Sequence, residues 1–267
     1  MKITTWNINS VRLRLPHIEH LTKEIAPDII CLQEIKVITD LFPGEDLAAL
    51  GYPHQAVAGM KGYNGVAILS RLPLTKSGTK DWCGKQDCRH IFATIDGGKA
   101  GPIEIHNFYI PAGGDEPDPE KNEKFAHKLQ FLKEITKWTK DRRKKTANRV
   151  LVGDLNIAPL ETDVWSHKQL LKVVSHTPVE VAGLNKLQAA GPWIDAVREI
   201  IPPEEQVFSW WSYRSKDWTI NDRGRRLDHV WVSEPLQDKI SEVQILRDAR
   251  SWEKPSDHVP VTVTLNL

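Results

Sequence analysis

The sequence predicts an α/β protein: a four-layer α/β sandwich in which two packed mixed β-sheets are flanked by helices. Three observations lead there. Short runs with alternating or continuous apolar residues recur along the whole chain, as half-buried and fully buried strands require. Two longer segments instead carry apolar residues every third or fourth position, the period of a helix with one buried stripe. No low-complexity linker and no fixed repeat divides the 267 residues, so the elements share one domain spanning 1–267.

In chain order, the strand-like runs are KITTWNI, DIICLQE, YPHQAVAG, NGVAILS, RHIFATI, PIEIHNFY, RVLVGDL, QVFSWWS, RLDHVWV and PVTVTLNL. Leu15, Ile18, Leu21 and Ile25 define the first helix, opened by Pro16 near its N-terminus. Phe125, Leu129, Leu132 and Ile135 define the second. Sheets with two buried faces and helices with one stripe to cover stack as helix, sheet, sheet, helix. The loops GGDEPDPE and IIPPEEQ, rich in Gly, Pro and acids, belong on the surface.

Composition narrows the function classes. An apolar content of 40% supports a substantial core, and a net charge of +1 gives no global field toward nucleic acid or membrane, though a local basic stripe can still bind. No apolar stretch approaches membrane-spanning length, and MKITTWNINS turns polar too early for a secretory signal. Cys31, Cys83 and Cys88 form neither an even framework nor a CxxC pair, which fits a reducing compartment and no disulfide scaffold. The expectation is a cytoplasmic monomer with no membrane partner.

The informative residues are polar ones where strands end. In RVLVGDLNIAP an apolar run gives way to Asp154 and Asn156, two apart and so on one face if the strand continues, with Leu155 and Ile157 turned to the core. A plain turn before Pro159 reads the same letters. Other runs behave alike: Asn7 and Asn9 follow Trp6, Glu34 ends IICLQE, Tyr109 ends IHNFY, Asp228 sits in RRLDHV, and Asp257-His258 precede the last strand. Carboxylates in apolar settings are costly unless paired or bound to a cation, so these acids are expected to gather around one; separate capping of loops is the alternative. Oxygen donors with one histidine and no thiolate suit Mg²⁺, with Mn²⁺ as a substitute, and Mg²⁺ commonly completes its shell with water and phosphate. That points to phosphoryl chemistry, in which a phosphate charge is neutralised, a water activated and a leaving oxygen assisted.

At this point the residues resemble a family. TWNINSVR, PDIICLQEIK, YNGVAILS, NFYIPAG, LVGDLNIAP, RLDHVWVS and EKPSDHVPV are similar, in order and across nearly the whole chain, to the signatures of the exonuclease III family of DNA repair nucleases. Its wider superfamily includes deoxyribonuclease I and the inositol polyphosphate 5-phosphatases. The resemblance implies the deoxyribonuclease I-like four-layer sandwich. It also implies Mg²⁺-dependent cleavage of duplex DNA 5′ of abasic sites, with 3′-to-5′ exonuclease action. It implies Glu34 as principal metal ligand, with Asn7 and Asp257 assisting; Asp154 and Asn156 at the attacking water; Asp228 orienting His258; and Tyr109 donating to a phosphate oxygen. Which of Asp154, His258 and Tyr109 moves protons, and whether one metal or two act, stays open.

For DNA contact, residues 206–226 hold five aromatics and five basic residues against two acids, a composition suited to stacking a base or sugar while gripping a backbone. Trp210, at the family's sugar-pocket aromatic, is the expected lining residue, and Arg214, Arg225, Arg226 and Lys124 are expected backbone contacts. The run Arg142-Arg143-Lys144-Lys145 reads as cations at a helix C-terminus. Ala112 and the acidic loop after Tyr109 depart from the family pattern, which puts the substrate contacts of that loop in question. Two other functions compete: a superfamily phosphatase or phosphodiesterase on a non-DNA substrate, and a nucleic-acid-binding protein without catalysis. The aromatic and basic segment speaks against the first, the intact set of acids, amides and histidine against the second.

Overall fold

The computed structural model describes residues 1–142, 147–191, 193–215 and 217–267. Arg143, Lys144 and Lys145 of the basic run therefore lie outside the described residues. Among the described residues, fourteen strands appear in chain order: β1 (Lys2–Asn7), β2 (Ile29–Gln33), β3 (His54–Ala58), β4 (Val66–Ser70), β5 (Leu74–Thr79), β6 (His90–Asp96), β7 (Pro102–Tyr109), β8 (Asn148–Asp154), β9 (Trp193–Asp195), β10 (Trp210–Trp211), β11 (Gly224–Arg225), β12 (Asp228–Ser233), β13 (Ile240–Ile245) and β14 (Val261–Leu265). The helices are α1 (Leu15–Glu24), α2 (Gly44–Ala49), α3 (Glu123–Asp141), α4 (His167–Leu170), α5 (Pro178–Ala190), α6 (Ala196–Ile200) and α7 (Trp218–Asn221).

The strands form two six-stranded sheets, ordered β13-β14-β1-β2-β4-β3 and β5-β6-β7-β8-β12-β9, with β10-β11 as a separate ribbon. Each sheet has one parallel pair at its centre, β1 with β2 and β7 with β8, and antiparallel neighbours on both sides. The inner faces meet in a core of Ile3, Cys31 and Ile68 from one sheet and Ile105, Val152 and Val230 from the other. Outside, Ile18 and Leu21 of α1 cover Ile30 and Leu32, while Phe131 and Leu132 of α3 and Leu187 of α5 cover Leu151 and Trp231. The four-layer expectation holds. Both predicted helices form: α1 has Pro16 in its first turn, and α3 has Asn122 as N-cap, its side chain accepting from Lys124 N.

QVFSWWS is largely loop, contributing only the two residues of β10. Strands β5 and β13, unforeseen from the sequence, are sheet edges: β5 is mostly polar and solvent-facing, and β13 mixes exposed Ser241, Glu242 and Gln244 with half-buried Ile240, Val243 and Ile245, so neither an apolar run nor a clean alternation marks them. Helix α5 was also unforeseen, although Thr177 and Glu180 form a capping box at its start.

This topology brings distant residues to one edge. The two parallel pairs deliver the C-terminal ends of β1, β2, β7 and β8 there, so Asn7, Tyr109 and Asp154 close their strands and Glu34 follows β2. Asp228 opens β12 directly opposite Asp154, and His258 lies just before β14, which runs antiparallel to β1. A buried polar bridge locks the sheets together below that edge: Gln33 Nε2 donates to Asn107 Oδ1 at 2.6 Å, and Asn107 Nδ2 donates to the carbonyls of Leu32 and Ala67 at 2.9 Å each.

Candidate active site

Strand β8 stops at Asp154, and Asn156 adopts the left-handed conformation at φ +54°, so the motif ends in a turn instead of continuing as a strand. Leu155 and Ile157 are buried as expected. Gly153 is required here, because a Cβ would stand 1.9 Å from the carbonyl oxygen of Phe108 on the adjacent β7.

Asn7 joins the two sheets' contributions. Its Nδ2 donates to Glu34 Oε1 and to Asp154 Oδ2, both at 2.9 Å. Tyr109 donates its hydroxyl to Glu34 Oε1 at 2.7 Å, and Lys36 Nζ lies 2.8 Å from Glu34 Oε2. Burial works against the Glu34 charge, but Lys36, Asn7 and Tyr109 together outweigh it and hold the carboxyl below its ordinary value. Tyr109 is pushed well above the usual phenol range, by burial first and then by Glu34 and Asp154, so it stays a hydroxyl donor.

His258 Nδ1 meets Asp228 Oδ2 at 2.8 Å, and its Nε2 lies 3.6 Å from Asp154 Oδ2. Ser209 Oγ fixes Asp228 by donating to Oδ2 at 2.7 Å while accepting from the Leu227 and Asp228 amides. Burial opposes the charged imidazole, but the carboxylates of Asp228 and Asp154 prevail and raise His258 to about 10. Burial also pushes Asp154 up, to about 7, against the pull of His258. The result is a cationic ring held between acids at the edge of a cleft of about 960 Å³.

The cleft's other wall contains the aromatic and basic segment. Trp210 is half-buried, donates Nε1 to Asp257 Oδ2 at 2.9 Å, and has the Arg225 guanidinium 5.1 Å from its ring centre. Arg225 also donates to Val174 O and Ser175 Oγ. Arg214 is exposed on the rim. Lys124 is exposed in the first turn of α3, near Gly114 of the cleft. Asp257 lines the cleft and also accepts from Asn9 at 3.3 Å.

One expectation is corrected. Arg226 is 1% exposed and is spent on Asp163, at 2.7 and 2.9 Å, and on Asp195, at 2.7 Å, so it is an internal strut and no backbone contact. Alternate residues of the RRLD run face opposite ways, which sends Arg225 to the cleft and Arg226 inside. Sequence reasoning missed Lys36 and Ser209: the first follows Glu34 by two positions, whereas the second carried no signal beyond a hydroxyl in an aromatic run.

The donors fit a divalent cation. Asp154 and Asp228 offer carboxylate oxygens within 4.8 Å of each other and, were the ring uncharged, of a His258 nitrogen; Glu34 stands across Asn7 from them, and Asp228 Oδ1, buried, has no hydrogen-bond partner among the described residues.

Fold and site together define an α/β sandwich hydrolase. The pattern of the Endonuclease/Exonuclease/phosphatase family matches residues 4–258, and the chain belongs to that family. Exodeoxyribonuclease III of Haemophilus influenzae is 33% identical over 269 residues, covering 98% of both chains. A solved AP endonuclease from Archaeoglobus fulgidus matches with a TM-score of 0.90 at 32% identity over 100% of both chains. The 3′ phosphatase NExo from Neisseria, bound to product DNA hairpin, matches with 0.89, 32% and 100% of both.

Proposed function

We propose that this protein is a Mg²⁺-dependent DNA repair hydrolase that cuts phosphodiester bonds 5′ of abasic sites and removes nucleotides or blocked ends from 3′ termini, acting as a cytoplasmic monomer. The observation that carries the reading is Asn7 bridging Glu34 and Asp154, which joins acids from two sheets beside an imidazolium and under an aromatic, basic wall. Relatives named for exodeoxyribonuclease, AP endonuclease and 3′ phosphatase activity support the substrate class.

Glu34, with Asn7 beside it and Asp257 lining the same cleft, would hold the cation, since the His258 imidazolium has no free lone pair to ligate a metal. Mg²⁺, when bound, supplies positive charge against the phosphate oxygens. Asp154, its carboxyl made more basic by burial, orients the attacking water and takes its proton. Asn156 keeps that carboxylate in place, its amide N donating to Asp154 Oδ1 at 2.9 Å. His258 directs Nε2 toward the phosphate as a cation while Asp228 holds Nδ1. Tyr109, whose one hydroxyl hydrogen goes to Glu34 Oε1 in the free site, turns that hydrogen to a phosphate oxygen when substrate is bound. Trp210 presents its face to the abasic sugar, and Arg214, Arg225 and Lys124 contact the backbone. The test incubates the protein with a duplex carrying one abasic analogue, with Mg²⁺ and with chelator. Incision only with metal is expected, and no metal-dependent cleavage of that duplex or of a blocked 3′ end would defeat the reading.

A further inference from the structure

Behind Asn156 lies an ion pair that the chemistry above does not use. Lys128 of α3 and Glu180 of α5 are both fully buried, with Nζ 2.5 Å from Oε1. A buried pair is weak evidence of stabilisation, since desolvation offsets much of the attraction, so its value is better judged by what it holds.

Lys128 Nζ donates to the carbonyl of Asn156 at 2.8 Å and to that of Ala112 at 3.2 Å, besides Glu180. Glu180 in turn accepts from the Ser175 amide, at 3.0 and 2.9 Å, and from the Thr177 amide and hydroxyl. Three loops thus converge on one pair: the loop after β7, the turn after β8, and the loop before α5. Ala112, Asn156 and Ser175 from those loops all line the cleft, and Ser175 Oγ receives the guanidinium of Arg225.

Asn156 is the most constrained of them. Its amide N goes to Asp154 Oδ1, its Nδ2 to Ile110 O at 3.0 Å, and its carbonyl to Lys128, in a left-handed conformation. Oδ1 and the second Nδ2 hydrogen are left without a bond to a described residue. An asparagine carbonyl at that φ has no ladder partner in the sheet, and Lys128 supplies the missing donor.

We propose that Lys128, charge-balanced by Glu180, is a positioning residue that fixes Asn156, and through it Asp154, at the reacting phosphate. This rests on the role assigned to Asn156 above. A plain packing role, tying α3 to α5, predicts loss of stability without a specific effect on turnover.

The experiment uses full-length protein and whichever duplex the wild type cleaves fastest: abasic, recessed 3′ end or 3′-phosphate. Wild type, K128M/E180Q, D154N and the triple variant are compared, with circular dichroism confirming the fold. In K128M/E180Q, kcat should fall about 10-fold to 100-fold with KM within about threefold, as expected for misplacement of a reacting group. In the D154N background, where the carboxylate held by the Asn156 backbone N–H can no longer take a proton, the same exchange should cost less than about threefold, because residues that act through one group are not additive. Should K128M/E180Q fail to fold, E180Q alone, which sets an amide against the Ser175 and Thr177 donors, is read in the same two backgrounds. Unchanged kcat in a folded variant, or losses that multiply in full with D154N, would overturn the proposal. A wild type inert on all three duplexes defeats the function itself, which separates the two failures.

Discussion

His258 Nδ1 and Asp228 Oδ2 are 2.8 Å apart, and this contact turns the other ring nitrogen to Asp154. Asp228 thereby determines both the orientation and the charge of the ring. In Asp228→Asn the amide can present an N–H to Nδ1 and lose the counter-charge. Turnover should fall about 10²-fold or more, since an oriented proton or charge donor is commonly worth that much. Duplex affinity in chelator should stay within about threefold of wild type. Single-turnover kinetics beside a gel-shift titration checks both.

Asp154→Asn keeps the hydrogen bond from Asn156 N in reach but cannot accept the water's proton. A loss of about 10²-fold or more is expected, with DNA still bound. If Asp154→Asn cuts at the wild-type rate, the water-activating role belongs elsewhere.

Metal dependence should pass through Glu34. Chelation should abolish cleavage, and Glu34→Gln should raise the Mg²⁺ concentration for half-maximal activity by about 10-fold or more, as loss of a carboxylate ligand weakens a hard-cation site. A Mg²⁺ titration identical to wild type would exclude Glu34 as a ligand.

Arg214 and Arg226 should separate cleanly. Arg214→Ala removes an exposed cation at the rim, so the slope of log affinity against log salt should fall by about 1. Arg226→Met leaves Asp163 and Asp195 short of a buried partner and should destabilise the fold by about 3–5 kcal/mol. In variants that fold, its salt slope should match wild type. Chemical denaturation and salt-dependent binding measure the two effects.

Acid should loosen the outer face of the second sheet. The hydrogen bond from His106 Nε2 at 2.8 Å, against the effect of burial, lowers Glu104 to about 2. A depressed folded-state carboxyl stabilises above its unfolded value, and that contribution is lost as pH falls through about 4.5 toward 2. Glu104 is partly solvated, so screening limits the contribution to about 1 kcal/mol. Glu104→Gln should be less stable than wild type at neutral pH and converge with it near the acid end, which thermal melts across that range would show.

Much of the fold was legible because central strands must bury both faces: IICLQ, VAILS and the VLVG of RVLVGD are continuous apolar runs and appear as strands, whereas KITTWN buries Thr4, Thr5 and Asn7 beside Ile3 and Trp6. The edge strands β5 and β13 were not, since one face and one hydrogen-bonding side meet water and the sequence there is free to be polar. The site was legible as polar residues where apolar runs stop. Glu34, Asp154, Asp228 and His258 do meet, and their partners Lys36 and Ser209 were hidden because lysine and serine are ordinary anywhere on a surface.

The chain by itself determined the sheet-forming runs, two of the helices and the kinds of donor atom available for chemistry, because periodicity and residue type are local properties. Tertiary structure decided which charges are tools and which are struts. Lys128 and Arg226 look as solvated as Arg214 in a string of letters, yet the first two are sealed against Glu180 and Asp163. Only packing chooses the neighbour that makes burying a charge tolerable, and that neighbour lies 52 residues away for Lys128 and 63 for Arg226.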